Sequence, residues 1–336
     1  MPSSVSIYVP DGAPLMALAN IYQNTPRVQG VNINITRTTG PLIGGHLVAV
    51  RPDFALVPMN LAANRFNSDG EYILAGVALW GVLHIIENTN YSNGNPAVRL
   101  SDLIGETIVA YQRMASPGII LDTILRENGL EVNWLANIND AINPNAVNII
   151  SLLDNAAANQ ALLGYNLALA GTRFALLAEP VATIRDGENN FRRAFDLQEE
   201  WDNVFSDEEN NFRARVSQVG VVVRASLARQ HPSFVEGVLD LIAGSIDFAR
   251  ENPVITANLI VNDLISVYIG NNADGVSSFL SGTGQEVFNF ERTNNDSTID
   301  AIMHFLNILY EANPSFIGGS VPNRENFLMI PSVLAG

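Results

Sequence analysis

The sequence predicts an α/β protein made of two related halves, each a mostly parallel sheet flanked by helices. Three observations lead there. The first is a stretch used twice: residues 53–62 read Asp-Phe-Ala-Leu-Val-Pro-Met-Asn-Leu-Ala, and residues 173–182 read Arg-Phe-Ala-Leu-Leu-Ala-Glu-Pro-Val-Ala. Each is a brief apolar run suited to a strand buried on both faces, breaks at a proline and resumes in a helix-compatible run, 61–66 and 181–185. The second is the alternation of short β-branched runs with segments of helical period, the pattern of an open parallel sheet. The third is length: 336 residues is long for one core, and ~150 residues per domain suggests two. Ligands sit at the carboxyl ends of strands in such sheets, so two halves facing one another would make a cleft.

Taken in order, residues 5–9 alternate and are β-branched, a first strand that stops at Pro10-Asp11-Gly12-Ala13-Pro14. A helix follows through Leu15, Met16, Leu18, Ala19 and Tyr22, with Asp11 where an N-cap belongs and Pro14 in the first turn. The plain reading of Asp11-Gly12 is a capped strand-to-helix turn; the sharper one is that the bare N–H groups of the helix face a ligand. Residues 31–36 form a second strand, 38–41 a loop and 42–50 a helix leading into the first copy of the repeated strand. An apolar run over 72–80 ends at Trp80-Gly81 and continues extended over 82–86. Residues 88–96, with Gly94 and Pro96, read as a turn or hairpin tip. A strand over 107–111 leads into 112–118, where Ser116 before Pro117 suits an N-cap and the apolar positions 119, 120, 121, 124 and 125 keep helical spacing.

A strand over 148–152 and a helix over 155–165 lead into the second copy. Glu179 ends that copy after five apolar or small residues. An isolated buried carboxylate is costly, so it is expected to reach a donor, an Arg or a ligand amine. Residues 186–211 are the most acidic stretch and read as solvated surface. A strand over 219–223 and a strongly amphipathic helix over 232–251 follow. Helical stripes over 258–268 and 298–310 read as packing faces rather than cofactor boxes.

Composition narrows the function. With 47% apolar residues the chain is globular, and no apolar run approaches the ~18 residues of a membrane span. Cysteine is absent, which excludes disulfides, thiolate metal sites and Cys nucleophiles. The start of the chain enters a strand at once, without a basic segment followed by an apolar one. It is therefore cytosolic, or a signal segment has been removed. A net charge of −16 argues against binding nucleic acid or anionic lipid. All 18 basic residues are Arg, while Asn supplies 38 residues. Several Asn, among them Asn88, Asn90, Asn93 and Asn95, stand where a solvated Lys would be natural. From this comes the expectation that some Asn stand for Lys, which lowers the weight of net charge on partners; an intact mass equal to the written 36.4 kDa tests it. His46, His84, His231 and His304 are scattered and read as structural. Gly44-Gly45 and Gly318-Gly319 make neither a phosphate loop nor a dinucleotide fingerprint, and no Gly-x-Ser-x-Gly elbow occurs. No catalytic residue, metal site or cofactor is expected, and the pattern favours binding over turnover.

The ordered motifs resemble a family. They are Pro-Asp-Gly-Ala-Pro after the first strand, Asp-Phe-Ala-Leu-Val-Pro, Trp80-Gly81, Leu-Ile-Gly-Glu-Thr-Ile-Val over 103–109, residues 174–180, Gly-Val-Val-Val-Arg over 220–224 and His-Pro-Ser-Phe-Val over 231–235. Together, over about residues 5–250, they resemble the nitrate/sulfonate/taurine type of ABC-importer substrate-binding protein, which also includes binders of thiamine-precursor pyrimidines. Where that family carries Lys in a Leu-Lys-Gly-Lys turn, this chain has Ile104 and Glu106.

The resemblance implies a periplasmic-binding-protein type II fold. Lobe one would be 1–84 and 219–336, lobe two 85–218, with the ligand enclosed as the lobes close. It further implies an extracytoplasmic monomer, periplasmic or lipid-anchored, that hands a small organic solute to a permease and ATPase and is not an enzyme. Turns expected at the ligand are Asp11, Gly12 and Ala13; Thr38 and Thr39 with Gly40; and Met59 and Asn60. On the far side they are Trp80 and Gly81; Met114, Ala115, Ser116 and Gly118; and Glu179 and Pro180. Trp80 would stack on a flat or apolar ligand. Ser116 and its following amides would hold an anionic group, whereas Asp11 and Glu179 suit an amine or ring N–H. The ligand class stays open between a zwitterion, an aromatic heterocycle and others. The competing readings are an enzyme like the pyrimidine synthases of thiamine biosynthesis, which resemble these proteins but rely on Cys-rich and His residues not found here, and a sensor or scaffold without transport.

Overall fold

A computed structural model describes residues 3–261 and 272–329. These residues fall into two compact units: one holds the chain up to Gly81 and from Glu209 onward, the other is Val82–Glu208. The crossings therefore lie at 81/82 and 208/209, where the sequence reading set them at 84/85 and 218/219. The strands are β1 (Ser4–Pro10), β2 (Arg27–Val28), β3 (Val31–Thr38), β4 (Phe54–Pro58), β5 (Tyr72–Trp80), β6 (Leu83–Asn88), β7 (Thr107–Tyr111), β8 (Val132–Leu135), β9 (Val147–Leu152), β10 (Phe174–Ala178), β11 (Phe191–Asp196), β12 (Ser217–Arg224) and β13 (Phe288–Arg292).

In the first unit the sheet runs β13-β5-β12-β4-β1-β3-β2, and in the second β11-β6-β10-β7-β9-β8. The repeated sequence occupies the same place in both. Phe54 and Ala55 of β4 sit parallel to Ile7 and Tyr8 of β1, while Phe174 and Ala175 of β10 sit parallel to Ile108 and Val109 of β7. On the other edge β4 meets β12, and β10 meets β6, both antiparallel. Beyond the first strand, β3 is parallel to β1 and β9 parallel to β7. Each copy shows four buried residues followed by a half-buried one, as a strand covered on both faces requires. Helices Gly40–Val48 and Asn155–Leu162 precede the copies, and Met59–Asp69 and Val181–Asp186 follow them.

Most elements lie where the hydrophobic periodicity puts them; Pro232–Glu251 packs its apolar face against β13 and neighbouring helices. The helix expected over 258–268 begins earlier, as Pro253–Ile260, and its later part lies outside the described residues. Residues 88–96 are not a hairpin tip: β6 is followed by β7, and β10 stands between them in the sheet. The stretch 186–211 lies mostly at the surface, with Phe195, Leu197 and Trp201 buried, but it is not without structure. It forms β11 and the helix Leu197–Phe205, whose Leu197 and Trp201 are buried while its acidic side chains serve the first turn and the N-cap. Asp196 caps that helix by accepting from the amides of Gln198 (2.8 Å) and Glu199 (3.4 Å).

Asn88 is not at the solvated position expected of it. It is buried, its side-chain oxygen accepts from the Asn90 amide at 3.1 Å, and its nitrogen donates to the Leu162 carbonyl at 3.3 Å. Lys carries no acceptor and cannot do the first of these. Among the described residues no helix is long and apolar enough to cross a membrane, and no group of His, Asp or Glu is placed to hold a metal ion.

Two ionisable groups bind these elements together. Glu87 of β6, fully buried, accepts from Arg173 (Nε 2.9 Å, Nη2 2.7 Å), from Arg192 (Nε 2.7 Å) and from the Ala97 amide (3.2 Å). It thereby ties β6, the start of β10, β11 and the 95–97 loop. Removing one partner of a buried ion pair strands the other. Glu87→Ala is therefore expected to lower stability by about 3 kcal/mol, read as a lower urea midpoint at unchanged m-value.

Tyr72, fully buried at the start of β5, donates to the Pro52 carbonyl at 2.7 Å, and burial pushes its phenol from 10.0 up to about 12. Between these values the unfolded chain has lost the proton and the folded one keeps it. This contribution to stability is thus whole below pH 10 and is lost as pH rises through 12. Tyr72→Phe should remove that alkaline slope and cost about 1 kcal/mol at neutral pH in chemical denaturation.

Candidate functional site

In the first unit β1, β3 and β4 run the same way, so their carboxyl ends share one edge of the sheet. That edge carries Asp11 to Ala13, Thr38 to Gly40, Met59 and Asn60. The Asp11 amide donates to the Thr38 carbonyl at 3.1 Å, which joins the first two turns. Asp11 is not the N-cap expected of it. Gly12 holds that position for the short helix Ala13–Ala17, at φ +89°, where a side chain would be strained. The Asp11 carboxylate instead takes Arg37, whose Nε donates to Oδ1. Its other oxygen, Oδ2, is buried with no protein partner, and so is the Thr38 hydroxyl. The Asp11 side chain is 8% exposed and Thr38 is 8% exposed. Thr39 caps Gly40–Val48 through its carbonyl, which accepts from the amides of Leu42 (3.0 Å) and Ile43 (3.2 Å). Met59 opens the helix after β4 but is buried, and Gly220 of β12 lies close beneath its methyl. Asn60 beside it is half-buried.

Because β12 is antiparallel to β4 and β5, its first residue lies at this same edge, and Ser217 pairs with Trp80 at the end of β5. The structure places Trp80 as a packed side chain rather than an open stacking face. It is 2% exposed, its Nε1 donates to the Asn289 carbonyl at 2.9 Å, and the Arg215 guanidinium lies 3.5 Å from its ring centroid. The Glu291 carboxylate accepts from Arg215 (2.5 Å), from the Asn289 amide group (2.7 Å) and from the Thr298 hydroxyl (2.6 Å). Gly81 is held by its amide donating to the Val216 carbonyl at 3.0 Å.

In the second unit β7, β9 and β10 are parallel and their carboxyl ends share an edge. Residues 112–116 turn tightly there: Gln112 has φ +53°, its amide donates to the Leu152 carbonyl at 3.1 Å, and the Arg113 amide donates to the Ser151 hydroxyl at 3.0 Å. Ala115, not Ser116, is the N-cap of Ser116–Glu127, and Ser116 is its buried first residue. One residue's shift follows from the extended backbone at Ala115 (φ −116°, ψ 175°), which already closes the turn. Gly118 explains itself by space, since a Cβ there would stand 2.5 Å from the Arg113 backbone. Met114 is exposed.

Glu179 is committed inside its own unit. It accepts from Arg193 (2.8 Å), the Thr183 hydroxyl (3.0 Å) and the Thr183 amide (3.1 Å), and His84 Nε2 lies 3.0 Å away. The other imidazole nitrogen is 3.5 Å from Asp196. Of the donors the sequence reading weighed for Glu179, an Arg is present; Pro180 behind it caps the helix Val181–Asp186. Sequence reasoning missed Arg215, Arg193 and His84 as members of these clusters. The acidic stretch 186–211 around Arg193 and before Arg215 was a signal for those two, which does not say which carboxylate each will meet, and His84 follows an apolar run that carries none.

The architecture is that of the binding proteins of ABC importers. An ABC transporter protein from Parabacteroides distasonis matches with a TM-score of 0.70 at 18% identity, over 96% of this chain and 97% of that one. The periplasmic aliphatic sulphonate binding protein SsuA of Escherichia coli matches with a TM-score of 0.67 at 16% identity, over 98% and 92%. The ligand binding component of an ABC-type import system from Staphylococcus aureus matches with 0.61 at 14%, over 99% and 98%. No protein-family model and no curated protein matches the sequence.

With Trp80 and Glu179 both enclosed by neighbours of their own unit, their loss should register first in the fold. Trp80→Ala is expected to cost about 3 kcal/mol or more, since it empties a packed aromatic site and uncovers Arg215. Glu179→Ala, which strands Arg193, should cost a comparable amount. Thermal unfolding of each variant, set beside its solute affinity, checks this: a large loss of affinity at unchanged melting temperature would return both residues to the ligand.

Proposed function

We propose that the chain is the solute-binding component of an ABC importer, capturing a small organic solute as its two units close and delivering it to a permease and ATPase. The observation that carries this reading is the repeated half. The same strand, in the same register beside an equivalent first strand, ends at a loop-bearing carboxyl edge in each unit. Open α/β sheets bind ligands at that edge. A protein with two such edges can hold a solute between them and signal occupancy by hinge closure. The fold shared with importer binding proteins supports the same conclusion. Under this reading the protein works as an extracytoplasmic monomer, and the turns and helix starts at 11–13, 38–40, 59–60 and 112–118 form the solute-facing edges.

Mass spectrometry of the purified protein under native and then denaturing conditions tests the proposal. A small molecule is expected to leave on denaturation, and its addition back should reduce the radius of gyration in small-angle scattering. The denatured mass should equal 36.4 kDa, which also decides the lysine question. An empty protein whose scattering ignores a broad solute panel would count against solute capture.

A further inference from the structure

We infer that the first unit carries a hydrogen-bond-accepting subsite, formed by Asp11 Oδ2 and Thr38 Oγ1, for an N–H-bearing group of the solute such as an ammonium or an amino-substituted ring. The inference rests on the solute-binding reading and adds the chemistry of one end of the solute. Two independent observations carry it. The first is the pair of orphaned atoms. Both side chains are more than nine-tenths buried, both atoms lack a protein partner, and their backbones are joined by the Asp11 amide to Thr38 carbonyl bond. Leaving a buried polar atom unpaired is costly, more so on a carboxylate, so such a pair is a place where a ligand's donor recovers lost hydrogen bonding. The second is space. A Cβ built on Gly12, which follows Asp11, or on the exposed Gly40, two residues after Thr38, meets nothing within 4 Å.

The sign of the charge follows from the same geometry. Arg37 binds Oδ1 and so fixes the carboxylate plane, leaving Oδ2 as a pure acceptor. An anionic group would be repelled there. The hydroxyl of Thr38 can accept as well, so each of the two atoms offers a lone pair to an N–H group. Glu179, the other carboxylate suited to an amine by sequence, already takes Arg193 and Thr183. Amine recognition therefore falls to the first unit.

Calorimetry with two matched pairs tests the subsite: taurine against ethanesulfonate, and 4-aminopyrimidine against pyrimidine. In at least one pair the amino member is expected to bind about 10-fold tighter or more, as a hydrogen bond to a charged acceptor provides. Asp11→Asn should erase most of that preference. Thr38→Val should weaken the amino member several-fold while leaving the melting temperature equal or higher, because the hydroxyl it removes bonds nothing in the folded protein. Gly40→Ala, a methyl placed in open space, should do the same. Equal affinity within each pair, or a preference that survives Asp11→Asn, would overturn the subsite and leave solute binding standing. So would a co-purifying solute without an N–H donor. Failure of all four probes, with nothing co-purifying, would count against both.

Discussion

Everything in this structure depends on one obligation: a strand buried on both faces must find backbone partners on both edges. An unpaired N–H or C=O there costs as much as a lost hydrogen bond. The copies Phe54–Pro58 and Phe174–Ala178 are such strands. On one edge each takes the first strand of its own half. On the other each takes an antiparallel strand that begins or ends a crossing between units: β12 for β4 and β6 for β10. In the first unit this has a kinetic side. Its sheet lacks β12 until the chain has passed through Val82–Glu208 and returned, so its central pairing joins segments separated by the whole of the second unit. Long-range pairing of this kind slows folding.

The charged groups solve the next problem, which is how carboxylates at strand ends are held in buried (Glu87, Glu179) or half-buried (Glu291) positions. Glu87, Glu179 and Glu291 each meet an Arg, and Glu87 meets two. Guanidinium suits this work better than ammonium, because its planar fork donates to several acceptors at once and stacks on rings. Arg215 shows both uses, lying on Trp80 and donating to Glu291. Asn complements this set as the acceptor at turns and caps. Asn166, Asn272, Asn295 and Asn323 each accept from an amide at the second or third residue of the following helix or turn, a task no Lys performs.

The loop-bearing edges follow from the sheets. Since parallel strands end together, the turns after β1, β3 and β4, and those after β7, β9 and β10, are gathered without any contact being specified locally. This is why Asp11, Thr38 and Ser116, which the resemblance implied at the ligand edges, all lie at carboxyl ends of strands. Their exact roles did not follow from it. Ser116 missed the cap by one residue, and Asp11 gave the cap to Gly12. A cap depends on a single backbone torsion, which periodicity does not encode.

By itself the sequence determined the two-half architecture, the place of the repeated strand and most helices, because periodicity and apolar run length report burial directly. It also singled out Glu179 as a carboxylate in need of a partner. Which partner it took was decided only by tertiary structure, since Arg193 arrives on β11, a strand concealed within an acidic stretch. The same holds for Trp80: hydropathy shows an aromatic ring at a strand end, but whether its face meets solute or protein depends on where Arg215 lands after a separate crossing. Asp11 and Thr38 are the converse case. Their local sequence is that of an ordinary turn, and only the packing around them shows two buried acceptors left unpaired. Side-chain pairing across the sheet depends on distances between residues far apart in the chain, and no local pattern carries those distances.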